Sequence, residues 1–151
     1  MDAVIKIYID TCGWCRPFDR QDIPRNAAET IAIVTAIEAA QIAGYVIVGS
    51  LAVVSELKNI KNDLIRSVIL KYYVDAISES VILSEKESAR AQSLQSDGVG
   101  VMDSQHLAAA ESAGASYLLT VDDDFIKIVA EKNLSKVNVI NPLTYLAGGI
   151  K

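Results

Sequence analysis

Four acids define the chemistry this sequence can support: Asp10, Glu56, Asp103 and Asp122, the last opening a run with Asp123 and Asp124. Carboxylates this close repel one another, so a bound cation or a basic partner is a natural reason for such a run. Oxygen donors of this kind suit hard divalent ions, and magnesium keeps several waters and an open face that phosphate can occupy. Each acid also has a plain structural role open to it, because aspartate is a favoured helix cap and the rest can face water. Two other groups carry chemistry. Cys12-Gly13-Trp14-Cys15 has the spacing of a thiol-disulfide pair. His106, the single histidine, lies three residues after Asp103 and on nearly the same helix face, where it is either a ligand or a helix histidine bonded to a neighbouring segment.

The elements around these residues follow from periodicity. Residues 4–9 read as a strand ending at Asp10, with Thr11, Cys12 and Gly13 leaving it as a turn. Pro24 starts a helix that Gly44 ends, residues 45–48 form a second strand, and Ser50 caps the helix bearing Glu56. A helix over 62–76 puts Leu64, Val68 and Tyr72 on one face, and residues 81–83 give a short strand. Ser84 and Glu87 form a capping-box pair for a helix that runs out near Asp97 and Gly98. Asp103 opens the next helix, which Gly114 closes. Strands over 117–120 and 137–140 then enclose a helix over 125–132, and Asn141 with Pro142 starts a terminal helix. Strands alternating with helices predict an α/β fold with a mainly parallel sheet. Parallel strands bring their C-terminal ends to one edge, so Asp10 and Asp122 become neighbours despite their separation in sequence.

Composition narrows the classes. A chain of 151 residues, 51% apolar and 22% charged, is expected to form one globular domain. Its net charge of −5 argues against a basic nucleic-acid coat protein, but not against an enzyme that meets phosphate through metal ions. Two cysteines and no hydrophobic leader point to the cytoplasm. Residues 30–54 approach the length of a membrane span, yet they carry Glu38 and Gln41 and are broken by Gly44, so they are expected in the core.

Four stretches in order carry a resemblance: IYIDTCGWCRPFD at 7–19, VVSELKN at 53–59, VMDSQHLAAAESAGASYLLTVDDDF at 101–125 and VINPLTYL at 139–146. Together they resemble the successive motifs of PIN-domain nucleases, and are most similar to the small, single-domain VapC-like toxins. That resemblance implies a three-layer PIN-like fold with a central, mainly parallel sheet flanked by helices. It implies a metal-dependent nuclease acting on RNA, with Mg2+ or Mn2+ as cofactor. Matched residue by residue, the catalytic acids are Asp10, Glu56, Asp103 and Asp122, and the metal ligands Asp10, Asp103, Asp122 and Asp124. Asp123 falls at a variable position, and Thr11 and Thr120 lend hydroxyl support. The resemblance also implies a homodimer and, in the toxin branch, an antitoxin partner. Activated water, oriented or deprotonated by a carboxylate, would attack phosphorus in line.

The remaining basic residues and rival readings are limited. Arg16, Lys58 and Lys61 flank the acids in sequence and are the candidates for backbone phosphate, with solvated faces as the plain alternative. A redox role for Cys12 and Cys15 is weakened by Arg16, Pro17 and Phe18, which follow at once where a long helix would be needed. A haloacid-type phosphatase would need a second aspartate two positions after Asp10, where Cys12 stands. A PIN fold that binds without turnover is the other class of function the chain could serve.

Overall fold

The computed structural model describes residues 4–149. Five strands form one wholly parallel sheet: β1 (Lys6–Ile9), β2 (Val46–Ser50), β3 (Glu79–Val81), β4 (Tyr117–Leu119) and β5 (Asn138–Ile140), in the order β3-β2-β1-β4-β5. In the central strand Ile7, Tyr8 and Ile9 are fully buried, as expected of a strand covered on both faces. The order reverses at β1. From there the chain moves outward through β2 to β3, then returns to lay β4 on the other side of β1. Such a switch point opens a crevice at the carboxyl ends of the two central strands. The backbone N–H of Asp10 donates to the Leu119 carbonyl at 3.2 Å, so the chain leaving β1 is tied directly to the end of β4.

Among the described residues eight α-helices connect and flank the strands: α1 (Thr11–Cys15), α2 (Pro24–Ala43), α3 (Leu51–Leu57), α4 (Asp63–Ala76), α5 (Glu85–Ser96), α6 (Val101–Ala113), α7 (Asp123–Lys132) and α8 (Pro142–Gly149). α2 packs on α8, α5 packs on α6, and α6 touches the first four strands. The stretch over 30–54 divides into α2, a turn at Gly44, β2 and the start of α3, and no helix among the described residues is long and apolar enough to cross a membrane.

Several boundaries depart from the sequence reading for physical reasons. The turn read at Thr11, Cys12 and Gly13 extends to Cys15 as a short helix, because the Asp10 side chain caps it and Trp14 anchors it. Trp14 is fully buried, donates its indole N–H to the Ile9 carbonyl at 2.9 Å, and meets Tyr73 edge-on with ring centroids 5.2 Å apart. Gly13 has no room for a side chain, since a Cβ there would lie 2.7 Å from the Ile9 Cγ2. In α4 the buried stripe is Ile69, Tyr73 and Ala76, one position on from the Leu64, Val68, Tyr72 row, of which Leu64 and Val68 are exposed. β3 is two residues earlier than the apolar run over 81–83, because its pairing with β2 runs from Glu79 to Val81. The Ser84 hydroxyl bonds the Glu87 carboxylate and makes no capping bond to a backbone N–H.

Candidate active site

At the switch point an open pocket of about 160 Å³ is lined by Asp10, Thr11, Glu56, Asp103, His106 and Asp122, with Cys12, Met102 and Val121 completing its wall. Four different elements deliver the acids. Asp10 follows β1 and caps α1, its Oδ1 accepting from the Gly13 N–H at 3.1 Å and from the Cys12 thiol at 3.0 Å. Burial pushes its carboxyl up, against the opposing pull of His106, Thr120, Cys12 and the Gly13 amide.

Asp122 follows β4 and caps α7, with Oδ1 accepting from the N–H groups of Asp124 at 3.0 Å and Phe125 at 3.2 Å. Capping and a place in the pocket are thus compatible in one residue. Below it the buried Thr120 hydroxyl accepts from the Asp122 N–H at 3.1 Å and lies 3.3 Å from the Cys12 sulfur.

Glu56 sits in the last turn of α3, held by two donors at the same oxygen: Thr11 Oγ1 at 2.7 Å and His106 Nε2 at 2.5 Å. Burial works to raise its carboxyl, but these two bonds outweigh it and keep Glu56 below the usual glutamate range. Asp103, in the first turn of α6, has no hydrogen-bond partner among the described residues. Burial first, then the nearby Asp122 and Asp10, raise its pKa to about 6. No lysine or arginine is ion-paired with any of the four acids among the described residues. Nor do any three acid, histidine or cysteine side chains there form a ready-made metal chelate.

The other candidate residues lie elsewhere. Asp124 is exposed on the first turn of α7, outside the pocket lining, because its backbone N–H faces the Asp122 cap. Asp123 turns away to Arg25, which grips it with two 2.8 Å bonds and also donates to the Val121 carbonyl at 3.2 Å. Arg16 is engaged by Asp19 at 2.9 Å and lies 3.2 Å from the fully buried Glu29 as an ion pair without an aligned hydrogen bond. Lys58 and Lys61 are exposed just beyond α3. Both cysteines are free, and burial first raises both thiols, that of Cys15 to about 11.

The sequence reading missed Tyr8. Its hydroxyl meets the His106 Nδ1 at 2.6 Å and the Ser50 Oγ at 2.6 Å. The available signal was a tyrosine between two isoleucines in a strand buried on both faces, where a hydroxyl must find a partner.

The PIN domain model matches residues 7–131. No curated protein matches the chain. Among solved structures, a chain in the crystal structure of VapBC2 from Rickettsia felis bound to a DNA fragment from their promoter superposes with a TM-score of 0.62. Sequence identity to it is 15%, and the match covers 91% of this chain and 98% of that one, a likeness of fold.

Proposed function

Because the chain belongs to the PIN domain family, we propose that it is a metal-dependent ribonuclease whose active site is the pocket around Asp103. The observation that carries this reading is the convergence of four carboxylates from four elements on one pocket, with no lysine or arginine ion-paired to any of them among the described residues. Burial of Asp103, and after it the repulsion of Asp122 and Asp10, leaves a carboxylate that a divalent cation would stabilise. The donor set fits Mg2+ or Mn2+, since it offers hard oxygens, with Asp10, Asp103 and Asp122 as the ligands we assign. Such an ion supplies Lewis acidity at the phosphodiester and a lowered pKa for water at the site.

The chain's own groups divide the remaining work. Glu56, kept as a carboxylate by Thr11 and His106 at one oxygen, has a second oxygen with which to orient the attacking water and take its proton. Asp10 and Asp122 are fixed by the helix ends they cap, so their carboxylates are held in place before substrate arrives. Lys58 and Lys61, exposed and shortly after Glu56 in the chain, are the groups we assign to backbone phosphates.

The fold shared with VapBC2 supports a toxin role with an antitoxin partner. An apolar groove of about 380 Å³ between α2 and α4, lined by Phe18, Val34, Ile37, Val68, Tyr72 and Ala76, offers such a partner a seat. The test is cleavage of a mixed-sequence single-stranded RNA by wild type in Mn2+, wild type in EDTA, and identically purified Asp103→Asn. Cleavage that requires both the ion and Asp103 supports the proposal. A folded wild type that binds Mn2+ yet leaves RNA intact, alone and across a panel of structured RNAs, points instead to a PIN-fold binding module.

A further inference from the structure

His106 is 2% exposed and sits at the centre of a chain of side-chain hydrogen bonds that begins in the sheet and ends in the pocket. The Tyr73 hydroxyl of α4 accepts from the Ser50 N–H at 3.0 Å, which fixes the end of β2. That contact needs a glycine next door, because a Cβ on Gly49 would lie 2.1 Å from the Tyr73 hydroxyl. The Ser50 hydroxyl caps α3 by accepting from the Val53 N–H at 3.3 Å, and stands 2.6 Å from the Tyr8 hydroxyl. Tyr8 in turn stands 2.6 Å from the His106 Nδ1, and the opposite ring nitrogen, Nε2, stands 2.5 Å from the Glu56 Oε1.

Donors and acceptors can be assigned along this chain. A carboxylate only accepts, so Nε2 carries the proton toward Glu56. In the neutral imidazole Nδ1 then accepts, which makes Tyr8 its donor and Ser50 the donor to Tyr8. Every bond has one proton and one acceptor, with none left over. We propose that His106 is a positioning residue: through Tyr8 and Ser50 the sheet sets the imidazole, and the imidazole sets the Glu56 carboxylate against the pocket. The proposal rests on the nuclease reading for its effect on catalysis, but the hydrogen-bond chain stands apart from it. Thr11 binds the same Glu56 oxygen, so loss of His106 loosens the carboxylate without releasing it.

The chain is tested first without activity. Nitrogen-15 NMR of the metal-free protein should show His106 as the Nε2–H tautomer, with its ring shifts moving in both Glu56→Gln and Tyr8→Phe. Kinetics then test the consequence. Gln carries a donor at the place of Nε2, so His106→Gln should keep activity within a few-fold of wild type, whereas His106→Leu should lower kcat by about 10 to 100-fold at little change in KM. Added to Glu56→Gln, His106→Leu should cost nothing more, because both act through one carboxylate. An Nδ1–H tautomer, ring shifts indifferent to Glu56→Gln, or equal losses from His106→Leu in both backgrounds would overturn the proposal. A wild type without metal-dependent cleavage would sink the nuclease reading, and the tautomer result would still decide the hydrogen-bond chain.

Discussion

Asp103→Asn should make the metal-free protein more stable at neutral pH while removing its response to divalent ions. The Asp103 carboxyl rises from 3.8 to about 6 in the fold, through burial and the neighbouring acids. An acid whose folded pKa is raised favours the native state while protonated; that contribution is complete below 3.8 and is lost as pH rises through about 6. At pH 7 the ionised side chain therefore works against folding. The shift converts to roughly 3 kcal/mol at 1.36 kcal/mol per pK unit, and discounting by half for a partly exposed side chain leaves about 1.5 kcal/mol. For a chain of this size that is a rise of ~3 to 6 °C in Tm. The rise should shrink to about a third at pH 4.5, where the folded carboxyl is protonated but the unfolded one is still largely ionised. In saturating Mn2+ the order should invert: wild type gains about 2.7 kcal/mol at a hundredfold excess over Kd, and the variant gains little. Thermal melts by circular dichroism in EDTA and in Mn2+, at pH 4.5 and pH 7, measure all of this. A variant no more stable than wild type in EDTA at pH 7, or equally stabilised at both pH values, would refute the reasoning from burial and repulsion.

Other substitutions separate the structural contributions. Trp14→Ala, which empties a fully buried site and loses the bond to the Ile9 carbonyl, should cost about 3 to 5 kcal/mol in urea unfolding. Gly49→Ala collides with the Tyr73 hydroxyl and should cost about 1 to 3 kcal/mol by the same measurement. Arg25→Met releases Asp123 and the Val121 carbonyl, and with them the loop that carries Asp122; Mn2+ affinity by calorimetry should fall roughly tenfold, with no further loss in an Asp122→Asn background. With both thiols raised by burial, native protein at pH 8 should react with a thiol-specific disulfide reagent far more slowly than unfolded protein. Fast native labelling would revive a redox role for Cys12 and Cys15.

Where the sequence was legible, one physical constraint dominated. An acid directly after a buried apolar strand must lie at the carboxyl edge of a parallel sheet, which is why Asp10 and Asp122 could be brought together on paper. It failed where two answers satisfied the same pattern. In α4 two apolar rows stand one position apart; Trp14 meets both Tyr72 and Tyr73 edge-on, and the bond from the Ser50 N–H holds the Tyr73 hydroxyl inside. At 81–83 hydrophobicity favoured a strand, but the hydrogen-bonding edge of β2 selected 79–81 and left Ile82 exposed. Arg16 looked free for phosphate because nothing local announces that Glu29, thirteen residues on in α2, is fully buried and needs cations. Long-range partners of this kind are invisible to periodicity.

The four acids are not equivalent tests of function, and the difference follows from how each is held. Gly13 and Cys12 bind one oxygen of Asp10, Thr11 and His106 one oxygen of Glu56, and two amides of α7 one oxygen of Asp122. Each of these three therefore serves the fold as well as the pocket, and truncating either cap to alanine should cost about 1 kcal/mol of stability before any chemistry is lost. A loss of cleavage in Asp10→Ala would confuse the two effects. Asp103 has no such structural bond among the described residues, and its charge opposes folding. A side chain that destabilises the metal-free protein, and that no neighbour requires, is best explained by a ligand the pocket is built to receive. Its substitution is the one that can abolish activity while the protein becomes more stable.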